Sequence, residues 1–195
     1  MKIGIFGGSF NPPHKAHLQI VKDIINQRYV DKVIFVPTGD KYKKDDLIPN
    51  KHRYEMLKII TQDEKYISVS NFEQHNQSIY IYQTLDYFKS LFSFDDIYLI
   101  CRSDNLDTFS TWKRYEYILE NYHLIVTKRG ATSIPKELEK YKDRITLVDA
   151  NYNISSTIIR NKLLNEDNRE ILRRHLDRNV LEYIRKENLY GRKNI

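Results

Sequence analysis

Short apolar runs alternate with amphipathic stretches along almost the whole chain. The runs Lys2–Phe6, Lys32–Pro37, Tyr66–Phe72, Asp96–Cys101, His123–Lys128 and Arg144–Val148 are rich in β-branched or aromatic residues and end in turn residues or charge, which predicts strands. Between them, Ala16–Gln27, Lys51–Thr61, Ile81–Phe92, Thr111–Asn121 and Pro135–Lys142 carry helical spacing. Near-continuous apolar strands alternating with helices predict an α/β fold: a Rossmann-like, doubly wound parallel sheet with helices on both faces. Residues 1–150 would form this core within a single domain spanning 1–195. From Asn153 onward the pattern is helical, through ISSTIIRNKLL, Asp167–Arg174 and Asp177–Lys186. Asp177 is placed to cap the last helix, whose Val180, Leu181 and Ile184 make an apolar stripe. The segment 151–195 thus reads as a small helical C-terminal segment.

In such sheets, ligands bind beyond the carboxyl ends of the strands, near the point where strand order reverses. Gly7–Gly8, Thr38–Lys44, Arg102–Asp104, Arg129–Gly130 and Asn151–Ser156 all stand at strand ends and are rich in polar groups. They are expected to converge on one rim.

Composition narrows the classes. At 195 residues, 41% hydrophobic and 30% charged, the chain is large enough for one real core. No apolar run approaches the roughly 20 residues that span a bilayer, so no membrane partner is expected. The net charge of +6 suits an anionic ligand, but the basic residues are scattered and interleaved with acids, so nucleic acid is not expected. The one cysteine, Cys101, excludes an internal disulfide and a cysteine-rich metal site; within IYLIC it reads as a core residue, and the setting is expected to be cytoplasmic. The sequence leaves room for a homo-oligomer.

Two constellations carry chemistry. In the first, a buried strand meets Gly7, Gly8, Ser9, Phe10, Asn11 and Pro12–Pro13, and a helix then opens with His14 and His17 on one face of its first turn. Open backbone N–H groups and the helix dipole there favour an anion such as a triphosphate. In the second, Ile154 precedes Ser155, Ser156 and Thr157, three hydroxyls at a helix start, with Arg160 one turn on. At minimum this is an N-cap cluster. As a phosphate cradle, it would add a planar guanidinium to the same oxygens.

These stretches resemble the HxGH-motif nucleotidyltransferase superfamily, specifically the bacterial nicotinate-nucleotide adenylyltransferases. The family's GG-(S/T)-F-(D/N)-PxHxGH stretch is matched except that Ala16 stands for glycine, and its ISSTxIR element is matched in full. Arg102–Ser103–Asp104 with Phe109, Trp112, Lys113 and Arg114 is similar to its GAD…LPxWxR, with Arg102 in place of glycine. Tyr80, Tyr82 and Thr84 agree with its SYTYDT, whereas Ile79, Ile81 and Gln83 do not.

The resemblance implies an enzyme joining the AMP moiety of ATP to nicotinate mononucleotide, giving deamido-NAD and pyrophosphate in NAD biosynthesis. His14, His17 and Arg160 would be catalytic. ATP would be held by Gly7, Gly8, Ser9, Phe10, His14, His17, Asp104 (on ribose hydroxyls), Ile154, Ser155, Ser156, Thr157 and Arg160. The mononucleotide would be held by Asn11, Lys44 (with Lys41 and Lys43 nearby), Tyr80, Thr84, Trp112 (stacked on the pyridine) and Arg129. Mg²⁺ would ride on the triphosphate with no dedicated metal cage, since His52, His75, His123 and His175 are dispersed. Other readings stay open: a related transferase acting on nicotinamide mononucleotide or phosphopantetheine, a non-catalytic nucleotide sensor, or a basic RNA-binding module.

Overall fold

The computed structural model describes residues 1–41, 46–75, 80–128, 130–150, 152, 154–163 and 168–191. Six strands, β1 (Lys2–Gly8), β2 (Lys32–Pro37), β3 (Ile67–Val69), β4 (Asp96–Arg102), β5 (His123–Lys128) and β6 (Ile145–Asp149), form one sheet in the order β3-β2-β1-β4-β5-β6. All five pairings are parallel. Strand order reverses between β1 and β4, so the crevice for a ligand opens beyond Gly8 and Arg102.

Alternation along the strands feeds two cores. Val33 and Phe35 of β2 enter a cluster with α1 (Lys15–Asn26) and α2 (Asn50–Thr61), while Ile34 and Val36 enter the opposite one. That second cluster packs the sheet against α4 (Ile81–Leu91), through Leu85 and Phe88, and α6 (Tyr115–Asn121), through Ile118 and Leu119. The C-terminal helices α7 (Ser156–Leu163), α8 (Arg169–His175) and α9 (Arg178–Lys186) bury Ile159, Leu172, Val180, Leu181 and Ile184 in the first cluster. They therefore share the core of the sheet and bring their loops to the same rim. No helix among the described residues is long and apolar enough to cross a membrane.

Several elements differ from their expected bounds for local reasons. β1 continues through Gly7 and Gly8, because both remain paired with β2. The third strand is shorter than expected: the Ser70 hydroxyl accepts from the Phe72 N–H, and Phe72 opens a one-turn helix, α3 (Phe72–His75). The expected Thr111–Asn121 helix is split. Phe109–Thr111 is a 3₁₀ turn, and Arg114 holds φ at 59°, a left-handed conformation that no helix passes through. Lys136–Arg144 is 3₁₀ rather than α, with only Leu138 buried to hold it against the core. A further one-turn helix, α5, is Ser103–Leu106.

Asp177 caps α9 as expected, accepting from the N–H groups of Asn179 and Val180. Asp177→Ala is expected to lower unfolding free energy by about 1 kcal/mol. Urea denaturation, with a shifted midpoint and an unchanged slope, checks it.

Candidate active site

The crevice at the strand-order reversal holds a cavity of about 630 Å³, within the roughly 300–1,000 Å³ of small-molecule sites. One side is built by the loop after β1. Phe10 takes a left-handed φ of 45° and drives its ring into the core, edge-on to Phe6, Phe35 and His17 at 5.5, 5.2 and 5.1 Å. That burial holds a backbone turn an exposed phenylalanine would not keep. A Cβ on Gly8 would stand 3.0 Å from the same ring, a contact tight enough that the ring would have to give way.

His17 lines the cavity, and the His14 ring lies face-on against it at 3.7 Å between centroids. The His14 N–H donates to His17 Nδ1 at 3.2 Å, and His17 N–H donates to the His14 carbonyl at 2.9 Å. An Nδ1 that accepts leaves the neutral imidazole with its proton on Nε2. The first turn of α1 thus fixes His17 as a donor.

The second side is the start of α7. Ser156 Oγ donates to the Pro12 carbonyl at 2.9 Å, and Arg160 Nη1 donates to the Asn11 carbonyl at 2.8 Å, while Arg160 Nη2 reaches Thr157 Oγ1 at 3.4 Å. Ser155, Ser156, Thr157 and Arg160 line the same cavity as Gly7, Gly8, Ser9, Phe10, Asn11 and His17. The two constellations singled out in the sequence therefore meet across one cavity.

Asp104, Tyr80 and Trp112 also line it. Asp104 already receives a two-point contact from Arg102: Nε to Oδ1 at 3.1 Å and Nη2 to Oδ2 at 2.8 Å. The arginine that replaces the family glycine therefore aims this carboxylate. Trp112 rests on Phe109 at 4.8 Å between centroids. The guanidinium of Arg114, two residues on, lies near both the Tyr82 and Tyr117 rings, 5.1 and 5.0 Å from their centroids.

Three expected site residues stand behind the cavity wall instead of on it. His14 is buried against His17. Ile154 is a core residue, and the buried Thr84 gives its hydroxyl to Glu73 Oε1 at 2.7 Å. Ala16 also points into the apolar core and does not touch the cavity, so its methyl takes no space from a ligand. Lys44, Lys43, Ile79 and Arg129 lie outside the described residues, and Lys41 is exposed.

Sequence reading missed three residues that hold the site. Arg53 is fully buried and donates to the carbonyls of Ile48, Ser9 and Thr38 and to Thr38 Oγ1, with Asp40 3.5 Å away. Burial pulls its pKa down and Asp40 opposes this. On a helical pattern it resembles any solvated arginine. Tyr190 donates to Asn11 Oδ1 at 2.8 Å while Asn11 Nδ2 donates to the Asp46 carbonyl at 2.7 Å, so the chain terminus orients the first loop. Burial pushes the Tyr190 hydroxyl well above its usual pKa, keeping it a neutral donor. Glu73 lines the cavity from a polar stretch with no periodicity, and its only cue is a carboxylate beside an aromatic.

Residues 5–162 match the family model described as cytidylyltransferase-like. A probable nicotinate-nucleotide adenylyltransferase of Caldicellulosiruptor bescii is 38% identical over 98% of this chain and 100% of its own length. One of Endomicrobium trichonymphae is 36% identical over 97% and 98%. In fold, the chain is similar to Plasmodium falciparum nicotinic acid mononucleotide adenylyltransferase complexed with NaAD, with a TM-score of 0.81, 24% identity and 97% of each chain covered. The chain belongs to the cytidylyltransferase-like family, among the relatives named nicotinate-nucleotide adenylyltransferase.

Proposed function

We propose that this enzyme transfers the AMP moiety of ATP to nicotinate mononucleotide, releasing pyrophosphate and forming deamido-NAD for NAD biosynthesis. The observation that carries the reading is the junction of the two helix starts: Arg160 on the Asn11 carbonyl and Ser156 on the Pro12 carbonyl place two sets of phosphate donors around one space. The relatives named above support the acceptor.

In this reaction a phosphate oxygen of the mononucleotide attacks the α-phosphorus of ATP. The new P–O bond forms as the α–β bridging P–O bond breaks, and pyrophosphate leaves with the electron pair. The attacking oxygen is already anionic, so the chain needs no general base. Its work is alignment and stabilisation of charge on the phosphates. His17 Nε2–H donates to an α-phosphate or bridging oxygen. His14 holds the ring of His17 in that orientation. Arg160, the hydroxyls of Ser155 and Thr157 and the start of α7 hold the departing pyrophosphate. Mg²⁺ enters with ATP as part of the substrate. Asp104 accepts from a ribose hydroxyl on its remaining lone pairs, and Trp112 stacks on the pyridine ring.

Pyrophosphate release with nicotinate mononucleotide, nicotinamide mononucleotide and phosphopantetheine tests the acceptor, and turnover highest with the first is expected. ATP bound with no acceptor turned over would refute the reading. His17→Ala should lower kcat by about 10²–10³, the usual cost of one preorganised donor, with a much smaller change in KM for ATP. Near-normal turnover would remove His17 from the mechanism. Trp112→Ala should instead raise KM for the mononucleotide and leave KM for ATP in place; steady-state kinetics in both substrates separates the two.

A further inference from the structure

Glu73 is a carboxylate turned inward at the cavity wall that the proposed chemistry does not use. Its Oε1 accepts from the Thr84 hydroxyl at 2.7 Å, and its Oε2 accepts from the Gly39 N–H at 3.2 Å. Gly39 belongs to the loop after β2, and Thr84 lies in the first turns of α4, beside Tyr80 and Ile81. One carboxylate thus ties the Gly39 loop, on the cavity wall, to the start of α4, whose Ile81 lines the cavity with Tyr80 just before it. Gly39 is held from a second direction as well. A Cβ there would lie 2.5 Å from the Glu73 carbonyl oxygen, so the loop lies directly on the α3 backbone. Thr38, next to it, is fixed by Arg53 through both its carbonyl and its hydroxyl.

We infer that Glu73 is a positioning residue for the acceptor: by holding Gly39 and Thr84 at a fixed separation, it sets the width of the slot that receives the mononucleotide. The inference rests on the function proposed above, since it takes that side of the cavity as the acceptor side. Burial raises the Glu73 pKa while its two donors oppose the shift, and the Arg53 guanidinium adds a favourable charge nearby. Only the carboxylate offers two acceptor oxygens. In Glu73→Gln the amide oxygen keeps the Gly39 N–H, but the Thr84 hydroxyl has no charged oxygen to donate to and can only accept from the neutral NH₂ group, so the charge-assisted bond to α4 is lost. The triphosphate side hangs on different contacts, Arg160 to Asn11 and Ser156 to Pro12, and is untouched by the change.

The test is a double-mutant cycle of Glu73→Gln and Thr84→Val, with steady-state kinetics in ATP and nicotinate mononucleotide and with melting temperatures. Losing one charge-assisted hydrogen bond should raise KM for the mononucleotide by about tenfold in Glu73→Gln. KM for ATP and kcat at saturation should stay within roughly twofold. Thr84→Val should raise the same KM, and the double variant should be little worse than Glu73→Gln alone, since both remove one link. An unchanged mononucleotide KM, fully multiplicative effects, or a parallel fall in kcat and in both substrate affinities would overturn the inference. Should Glu73→Gln not fold, Thr84→Val decides by the same split. A wild-type chain that fails to use nicotinate mononucleotide would sink the functional reading and this inference with it. An active wild type beside an unaltered Glu73→Gln sinks the inference alone.

Discussion

The hydrogen bonds from α7 to the carbonyls of Asn11 and Pro12 are the constraint on which the rest of the site depends. A strand end, a glycine turn and a helix start can bind an anion alone, but one such site has donors on one side only. The contacts of Arg160 and Ser156 bring a second helix start to face the first. Because the acceptors are backbone carbonyls, the junction reports the path of the main chain and not the identity of loop side chains. It also explains why the C-terminal helices must share the core of the sheet: without Ile159, Leu172 and Val180 buried there, nothing would hold α7 at the rim. Asn11 then gathers the remaining connections, since its amide joins Tyr190 near the terminus to the carbonyl of Asp46.

Arg160 and Arg53 divide the guanidinium chemistry between them. Arg160 lines the cavity and gives Nη1 to the Asn11 carbonyl. Arg53 is fully buried and spends its donors on the carbonyls of Ser9, Thr38 and Ile48. A buried charge is costly unless its hydrogen bonds are met, and here they are met by the two loops that most need fixing. The first wall of the site is thereby tied to the second strand's loop before any ligand enters.

Most of the fold was legible because its strands are buried on both faces and leave continuous apolar runs, as in Lys32–Pro37. Asp177 was legible because capping is a local matter. The two phosphate constellations were legible because each is contiguous in sequence. What escaped is set by tertiary context. Arg114 adopts a left-handed conformation with no glycine to signal it, and the cation is held instead by the Tyr82 and Tyr117 rings. Glu73 and Thr84 are eleven residues apart and separated by the undescribed 76–79 stretch, so no short-range pattern links them. Thr84 was legible as a site residue but not in its part: its hydroxyl faces Glu73 and not the cavity.

The chain's departures from the resembling family then fall into a physical order. Ala16 lies in the core, where an added methyl fills space between apolar neighbours. Arg102 lies at the rim, where it binds the Asp104 carboxylate at two points. Ile81 lines the cavity and packs so close to β1 that a Cβ on Gly7 would be 3.2 Å from its Cδ1. Arg102 and Ile81 both touch the cavity, and neither takes part in the contacts that join the two helix starts. The junction's acceptors are main-chain carbonyls and its donors are the Ser156 and Arg160 side chains, so the residues at positions 102 and 81 supply neither donor nor acceptor to it. In this chain the replacements at the cavity are Arg102, which holds the Asp104 carboxylate at two points, and Ile81, an apolar side chain on the wall.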